Sequence, residues 1–413
     1  MTSHVHIFAA FPNRCKATAG LVLLAAGALG CEGEPPSAPA VPESPAPAVA
    51  AAAAALTFTQ ISSGAYHTCG LVGDGKAYCW GMNRDGQLGD GTRTDRPQPR
   101  AVSGTLRFTQ ISAGTSHTCG ITADGAGWCW GLNSRGQLGN ARISPRLTPD
   151  RVKGTRVFRQ ISAGFWHTCA TTQNDVPFCW GGNVWGEIGD GTNTDREVPV
   201  RVLGSLKVRR VSASGGHTCV VTTADRAWCW GYGGNGALGN GQLDHRNVPV
   251  AVSGGHAFRL IVAGDASTCA LTPESVAWCW GYNQDGPVGD GSTTNRLVPV
   301  ALSGNLRWKQ AIAGYHSCGI TSANQAYCWG PNTGGSLGDG TLMRRLTPTA
   351  VSGGLAFSGV SPGDGHTCAI TAGGRVYCWG GNAFGQLGTG GSAPDDCSGI
   401  PCALKPQAVV GPA

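Results

Sequence analysis

The residues able to do chemistry recur as a fixed set. His67-Thr-Cys69 returns as His117-Thr-Cys119, His167-Thr-Cys169, His217-Thr-Cys219, Ser267-Thr-Cys269, His316-Ser-Cys318 and His366-Thr-Cys368. Ten residues after each of these cysteines stands a second one, followed by tryptophan: Cys79, Cys129, Cys179, Cys229, Cys279, Cys328 and Cys378. Imidazole with thiolates suits zinc, whereas two thiols suit a disulfide. His67 and Cys69 would share one face of a strand, but each unit offers only three ligands. The fifth copy keeps both cysteines and replaces histidine by Ser267. A bridge tolerates that replacement and a metal site does not. We therefore expect seven pairs (Cys69 with Cys79, and so on through Cys368 with Cys378), no metal and no cofactor. The histidine is expected to hydrogen-bond between neighbouring units.

Other chemistry is weaker. Gly89-Asp90-Gly91-Thr92, with relatives at Gly189 and Gly338, has one acid per unit where calcium wants several, and Asp-Gly is an ordinary turn pair. Neither a phosphate-binding loop nor a zinc-protease helix motif occurs. Histidine and aspartate sit at positions repeated unit after unit, where equivalent roles argue against catalysis. Asp265, Asp364 and Glu187 break the repeat, and an enzyme would need such groups to converge. No enzyme is expected.

The elements that hold these residues follow a period of 50. Each unit reads as short strands. Phe58-Thr-Gln-Ile61 alternates apolar and polar; Thr68–Val72 and Lys76–Trp80 flank the turn Gly73-Asp74-Gly75; Pro99–Val102 is a further extended piece. A turn centred on Asp74 sets Cys69 directly opposite Cys79, at the roughly 4.5–5 Å approach of cross-strand neighbours, where a bridge would add about 2–3 kcal/mol. Seven such units, beginning near 57, 107, 157, 207, 257, 307 and 356, predict an all-β, seven-bladed β-propeller over residues 56–413, one repeat per blade. The first unit lacks a preceding Pro-x-x-Val strand and the chain ends in Pro406–Gly411, so the C-terminal strand is expected to complete the first blade and close the ring. The insertion Asp395–Cys402 carries Cys397 and Cys402, expected as a locally bridged loop. The seven recurring tryptophans, Trp80 onward, are expected in the core.

Composition fits this reading. Of 413 residues 66 are glycine and only 13% are charged, which favours turns and sheet over solvated helices. A net charge of +6 is too weak and too scattered for a nucleic-acid footprint. Eighteen cysteines imply an oxidising compartment. Residues 1–30 carry Arg14, Lys16 and then an apolar stretch, the pattern of a signal peptide. They end in Ala28-Leu-Gly-Cys31, close to a lipoprotein cleavage site, so lipidation of Cys31 is expected. Residues 31–55 are Pro- and Ala-rich and read as a tether. An exported protein, held at a bacterial envelope or cell surface only by a lipid anchor or else secreted, is the expectation.

His-Thr-Cys-(x)9-Cys-Trp-Gly-x-Asn-x-x-Gly-Gln-Leu-Gly resembles the regulator of chromosome condensation repeat, in a bacterial exported and disulfide-bearing form, over residues 57–411. The resemblance implies a seven-bladed propeller whose loops on one face engage protein partners. The founding nuclear member is an exchange factor for the small GTPase Ran and binds histones, and a similar secreted propeller inhibits β-lactamases through aromatic-rich loops. Export argues against an exchange role here.

Positions that vary between copies are released from the shared packing task. Many of them are aromatic, and rigid aromatics with arginine favour binding hot spots. Tyr66, Phe165, Trp166, Trp185, Tyr232 and Tyr282 are therefore the candidate binding residues; Met82, Arg84, Arg135, Tyr315 and Phe384 vary as well. The expected partner is an unidentified extracytoplasmic protein, with a glycan as the alternative, no nucleic acid, and a monomeric scaffold.

Overall fold

The structure is a computed structural model and describes residues 56–412; the expected signal peptide and the whole expected tether, Cys31 included, lie outside them. Seven antiparallel sheets account for nearly all regular structure, and no α-helix occurs among the described residues. Blade 1 is built from Phe58–Ser63, His67–Val72, Ala77–Gly81 and Arg96–Ala101 in that order from channel to rim. First strands of adjacent blades touch each other around the ring, which makes them the innermost.

The central hairpin forms where its turn dictates. Gly75 N donates to Val72 O at 2.8 Å, and the register sets Cys69 against Cys79. All seven blade pairs are bonded, with Cα atoms 4.1 Å apart.

The core lies between blades rather than within them. Leu71, Leu88 and Cys69 of blade 1 pack on Phe108, Ile111 and Trp130 of blade 2, and the pattern repeats to blade 7 against blade 1. Each recurring tryptophan is fully buried. Its indole N–H donates to a carbonyl in the preceding blade, as Trp130 does to Gln87 O at 2.9 Å. Truncating one such indole to alanine removes contacts worth about 3–5 kcal/mol. Gly89 makes that approach feasible: it sits at φ +69°, and a Cβ there would fall 2.6 Å from the Trp130 indole nitrogen.

Ring closure differs from expectation in one respect. The last strand, Pro401–Ala408, pairs with Val376–Gly381 and completes blade 7, while blade 1 owns its outer strand, Arg96–Ala101, paired with Ala77–Gly81. Each Pro-containing outer strand folds back on the third strand of its own repeat, so it ends a blade rather than beginning the next. The C-terminal strand thus closes the ring as the rim of blade 7. Trp80 Nε1 then donates to Gln386 O at 3.0 Å, and Ser63 N to Ser361 Oγ at 2.8 Å.

Candidate functional site

The loop between first and second strands sets what reaches the channel. Gly64 N donates to His67 O, a tight turn that brings the His67 ring back over Gly64, where a Cβ would lie 2.5 Å from the ring. The ring is buried and its Nε2 lies 2.9 Å from Thr118 Oγ1 of blade 2. Thr118 gives its single hydroxyl proton to Gln87 O, so His67 Nε2 must be the donor and Nδ1 the bare nitrogen. Desolvation lowers His67, His117, His167 and His316 to a pKa of about 3, and His217 and His366 to about 4. These histidines are neutral struts between blades.

The residues just before each histidine face the channel. Gly64, Gly114, Phe165, Gly215, Asp265, Tyr315 and Asp364 surround a neck of about 80 Å³. The neck opens into a cavity of about 1180 Å³ toward blades 6, 7 and 1. Tyr66 and Phe384 form one wall, edge to face at 5.5 Å, with the Arg84 guanidinium over the Phe384 ring, 5.2 Å from its centre. Tyr315, Phe165 and Leu342 add apolar surface. The insertion supplies a further wall: Asp395–Asp396 pairs with Pro401–Cys402, the Cys397–Cys402 bridge ties it, and Ile400 stands 47% exposed at the edge.

Two carboxylates stand at the neck. Asp265 and Asp364 both line neck and cavity, touching water yet ringed by protein. Desolvation raises Asp364 to about 6, with the Asp265 charge adding to it; desolvation also raises Asp265. Neither accepts a side-chain hydrogen bond or ion pair from a described residue. The Gly-Asp-Gly-Thr aspartates differ. Burial would raise Asp90, but Thr92, Asn83 and Arg96 hydrogen-bond to it and hold it below the usual range, with Arg96 Nε at 2.8 Å. Glu187 stays away from the neck: it is buried in its turn, accepts from Trp185 N at 2.8 Å, and is raised by desolvation to about 7.

The six candidate aromatics separate. Tyr66 and Phe165 line the cavity, and Trp166 packs on Phe165 with ring centres 5.0 Å apart. Trp185 and Tyr232 form a second cluster with His245, at 5.6 and 4.6 Å from the Trp185 ring. The Tyr282 hydroxyl donates to Asp285 at 2.7 Å, and that bond, more than burial, pushes its pKa up to about 12. Tyr315, Phe384, Asp265, Asp364 and Ile400 complete the cavity without having been singled out as binding residues. Their signal was present, since each departs from the repeat.

Among known proteins, the profile of the Regulator of chromosome condensation (RCC1) repeat matches residues 74–121, 124–171, 178–221, 225–271, 276–320, 324–370 and 373–413. A second profile of the same description matches 58–87, 108–137, 208–237 and 357–386. No curated protein sequence matches the chain. Human WBSCR16 is similar in structure, at 22% identity over 76% of this chain and 87% of that one, with a TM-score of 0.70. Prp20p from Saccharomyces cerevisiae, described with its binding properties to Gsp1p and histones, is 20% identical over 87% of both chains, TM-score 0.68. The ectodomain of the Arabidopsis thaliana receptor kinase ACR4 is 18% identical over 78% of this chain and 97% of that one, TM-score 0.52. At these identities the likeness is one of fold.

Proposed function

This chain belongs to the regulator of chromosome condensation (RCC1) repeat family, and we propose that it is an exported binding scaffold that engages a protein partner through the channel-mouth face of the propeller. The observation that carries this reading is the cavity of about 1180 Å³ walled by Tyr66, Phe165, Tyr315 and Phe384. Those aromatics occupy positions the repeat leaves free, and they rise from a rigid, disulfide-pinned ring. Pre-organised aromatics of that kind lose little entropy on binding. The cavity is larger than the roughly 300–1,000 Å³ usual for a small-molecule pocket, which favours a protein segment as occupant. Yeast Prp20p, with the same fold, is described with protein partners.

Export is part of the proposal. Disulfides persist in oxidising compartments, and the basic-then-apolar residues 1–30 have the pattern of a signal peptide, with Cys31 the residue to carry a lipid anchor. The role is binding without catalysis. Glycan binding is a second reading, favoured by carboxylates beside aromatics at the neck.

The test is retention of envelope and secreted proteins by the oxidised full chain and by a variant with Tyr66, Phe165, Tyr315 and Phe384 changed to alanine. A protein held by the parent and lost by a variant of unchanged melting temperature is expected. The same proteins held by both would overturn the reading. Loss confined to a soluble glycan would establish the second reading in its place.

A further inference from the structure

Four aspartates of the Gly-Asp-Gly-Thr type turn are neutralised within their own blade: Asp90 by Arg96, Asp190 by Arg196, Asp290 by Arg296 and Asp339 by Arg345, each within 2.8 Å. Asp265 and Asp364 are treated otherwise. They line the neck together, and no cation among the described residues hydrogen-bonds or ion-pairs with either. Arg344 lines the wider cavity with its Nη1 3.7 Å from Asp285, and the Arg84 guanidinium lies over the Phe384 ring.

Two like charges facing one neck repel one another, although both residues stay exposed to water. A positive group between them turns that repulsion into attraction, whereas a neutral sugar or an acidic peptide does not. The walls point the same way, because Tyr and Phe faces attract cations. A planar guanidinium satisfies two carboxylates while stacking on aromatic rings, which a lysine ammonium does less well. The dimensions agree: a neck of about 80 Å³ admits a side-chain head, and the cavity above it admits the loop bearing it.

Resting on the reading of this face as a protein-binding site, we propose that the cavity takes an arginine presented by a loop or terminus of the partner, with Asp265 and Asp364 as its counter-charge and Tyr66, Phe165, Tyr315 and Phe384 as its walls. The arginine supplies the cation that the propeller itself withholds from the neck.

The experiment measures fluorescence anisotropy of a labelled Gly-Arg-Gly-Arg peptide on the oxidised full chain, beside identical peptides carrying citrulline or lysine. Citrulline keeps the shape and loses the charge. Binding about tenfold tighter for arginine than for citrulline is expected, with lysine between them. Asp364→Asn and Asp265→Asn should each erase most of that preference while leaving the melting temperature at pH 7 unlowered. Equal binding of arginine and citrulline peptides, absence of binding, or a preference surviving in the double variant would overturn the proposal. So would displacement of the peptide by calcium chloride beyond that by sodium chloride of equal ionic strength, which would place an inorganic cation at the neck. The two readings fail separately. If the four-alanine variant loses a protein partner that Asp265→Asn/Asp364→Asn retains, the binding face stands and the arginine falls.

Discussion

Two seams of the ring are built from the same repeat and held by different forces. Between blades 1 and 2 three polar links span the gap. The Gln60 amide donates to Ile111 O at 3.0 Å and accepts from Ile111 N at 3.2 Å, extending the sheet ladder sideways. Ser62 Oγ accepts from Ala113 N at 2.9 Å, and His67 donates to Thr118. Between blades 5 and 6 the same positions are Leu260, Val262 and Ser267, and none of the three links exists. The apolar core compensates: Trp308 stands where blade 2 has Phe108, and Leu260 packs against it with Ala311 and Trp329. The indole bond persists, Trp329 Nε1 donating to Pro287 O at 2.9 Å. Tryptophan and its carbonyl are therefore the indispensable part of a seam. The histidine strut is common to six seams and dispensable at one.

The comparison can be broken most forcefully with acid. Each strut histidine has a folded pKa near 3 or 4 against 6.5 unfolded. The stability each lends is whole above pH 6.5 and is lost as pH falls toward its folded value. The slope is about 1.4 kcal/mol per pH unit per histidine. Six acting together make acid unfolding steep; the fewer raised carboxyls, Glu187 at about 7, Asp364 at about 6, and Asp265 and Asp85, run in the opposite sense. The melting temperature should fall sharply between pH 6.5 and 4. A flat profile there would show that the rings protonate in place, and the strut account would be wrong.

Next in size is the single strut. His117→Ala leaves a cavity and takes a donor from Thr168, which keeps its bond to Gln137 O. A loss of about 2–4 kcal/mol is expected in urea unfolding. Ser267→Ala deletes a buried hydroxyl with no partner and should change stability by less than about 0.5 kcal/mol, toward greater stability. Similar losses for the two variants would erase the distinction between the seams.

What the sequence made legible follows from how far apart the partners are. Cys69 and Cys79 face each other because one short turn sets their register, so every blade bridge could be read locally. The buried tryptophans were legible because they recur where the packing task recurs. Ring closure was misjudged, because a Pro-x-x-Val segment has the same pattern whether it ends one blade or begins the next; only the ladder to Val376–Gly381 decides. The site was legible by kind and not by place. Tyr66, Trp185 and Tyr282 were equal as variable aromatics, but ring curvature brings the first to the cavity, the second to His245 and the third to Asp285. Asp265 and Asp364 stood out as departures from the repeat, and their meeting depends on a circle that no local pattern encodes.

The smallest effect is the most discriminating. Ser267→His asks whether the bare seam can be given the strut it lacks. An acceptor is in place: Ser317 Oγ donates its proton to Pro287 O at 2.9 Å, as Thr118 does to Gln87, which leaves its lone pairs for an incoming Nε2–H. Gly264 is retained at the position where Gly64 accommodates its ring. Against this, the blade 6 loop is one residue shorter before His316, so that Gly264 faces the Ala313–Gly314 peptide where Gly64 faces the Gly114 carbonyl oxygen. One buried hydrogen bond adds about 1 kcal/mol, and adjusting that loop offsets part of it. The expected gain is about 0.5 kcal/mol in urea unfolding, accompanied by a steeper loss below pH 6.5 because a seventh neutral ring has been buried. A gain with the steeper acid limb means that blades 5 and 6 lack only the residue. A loss of stability means that the shortened loop and the larger Trp308 have committed this seam to apolar packing, so that the strut was displaced and not merely omitted.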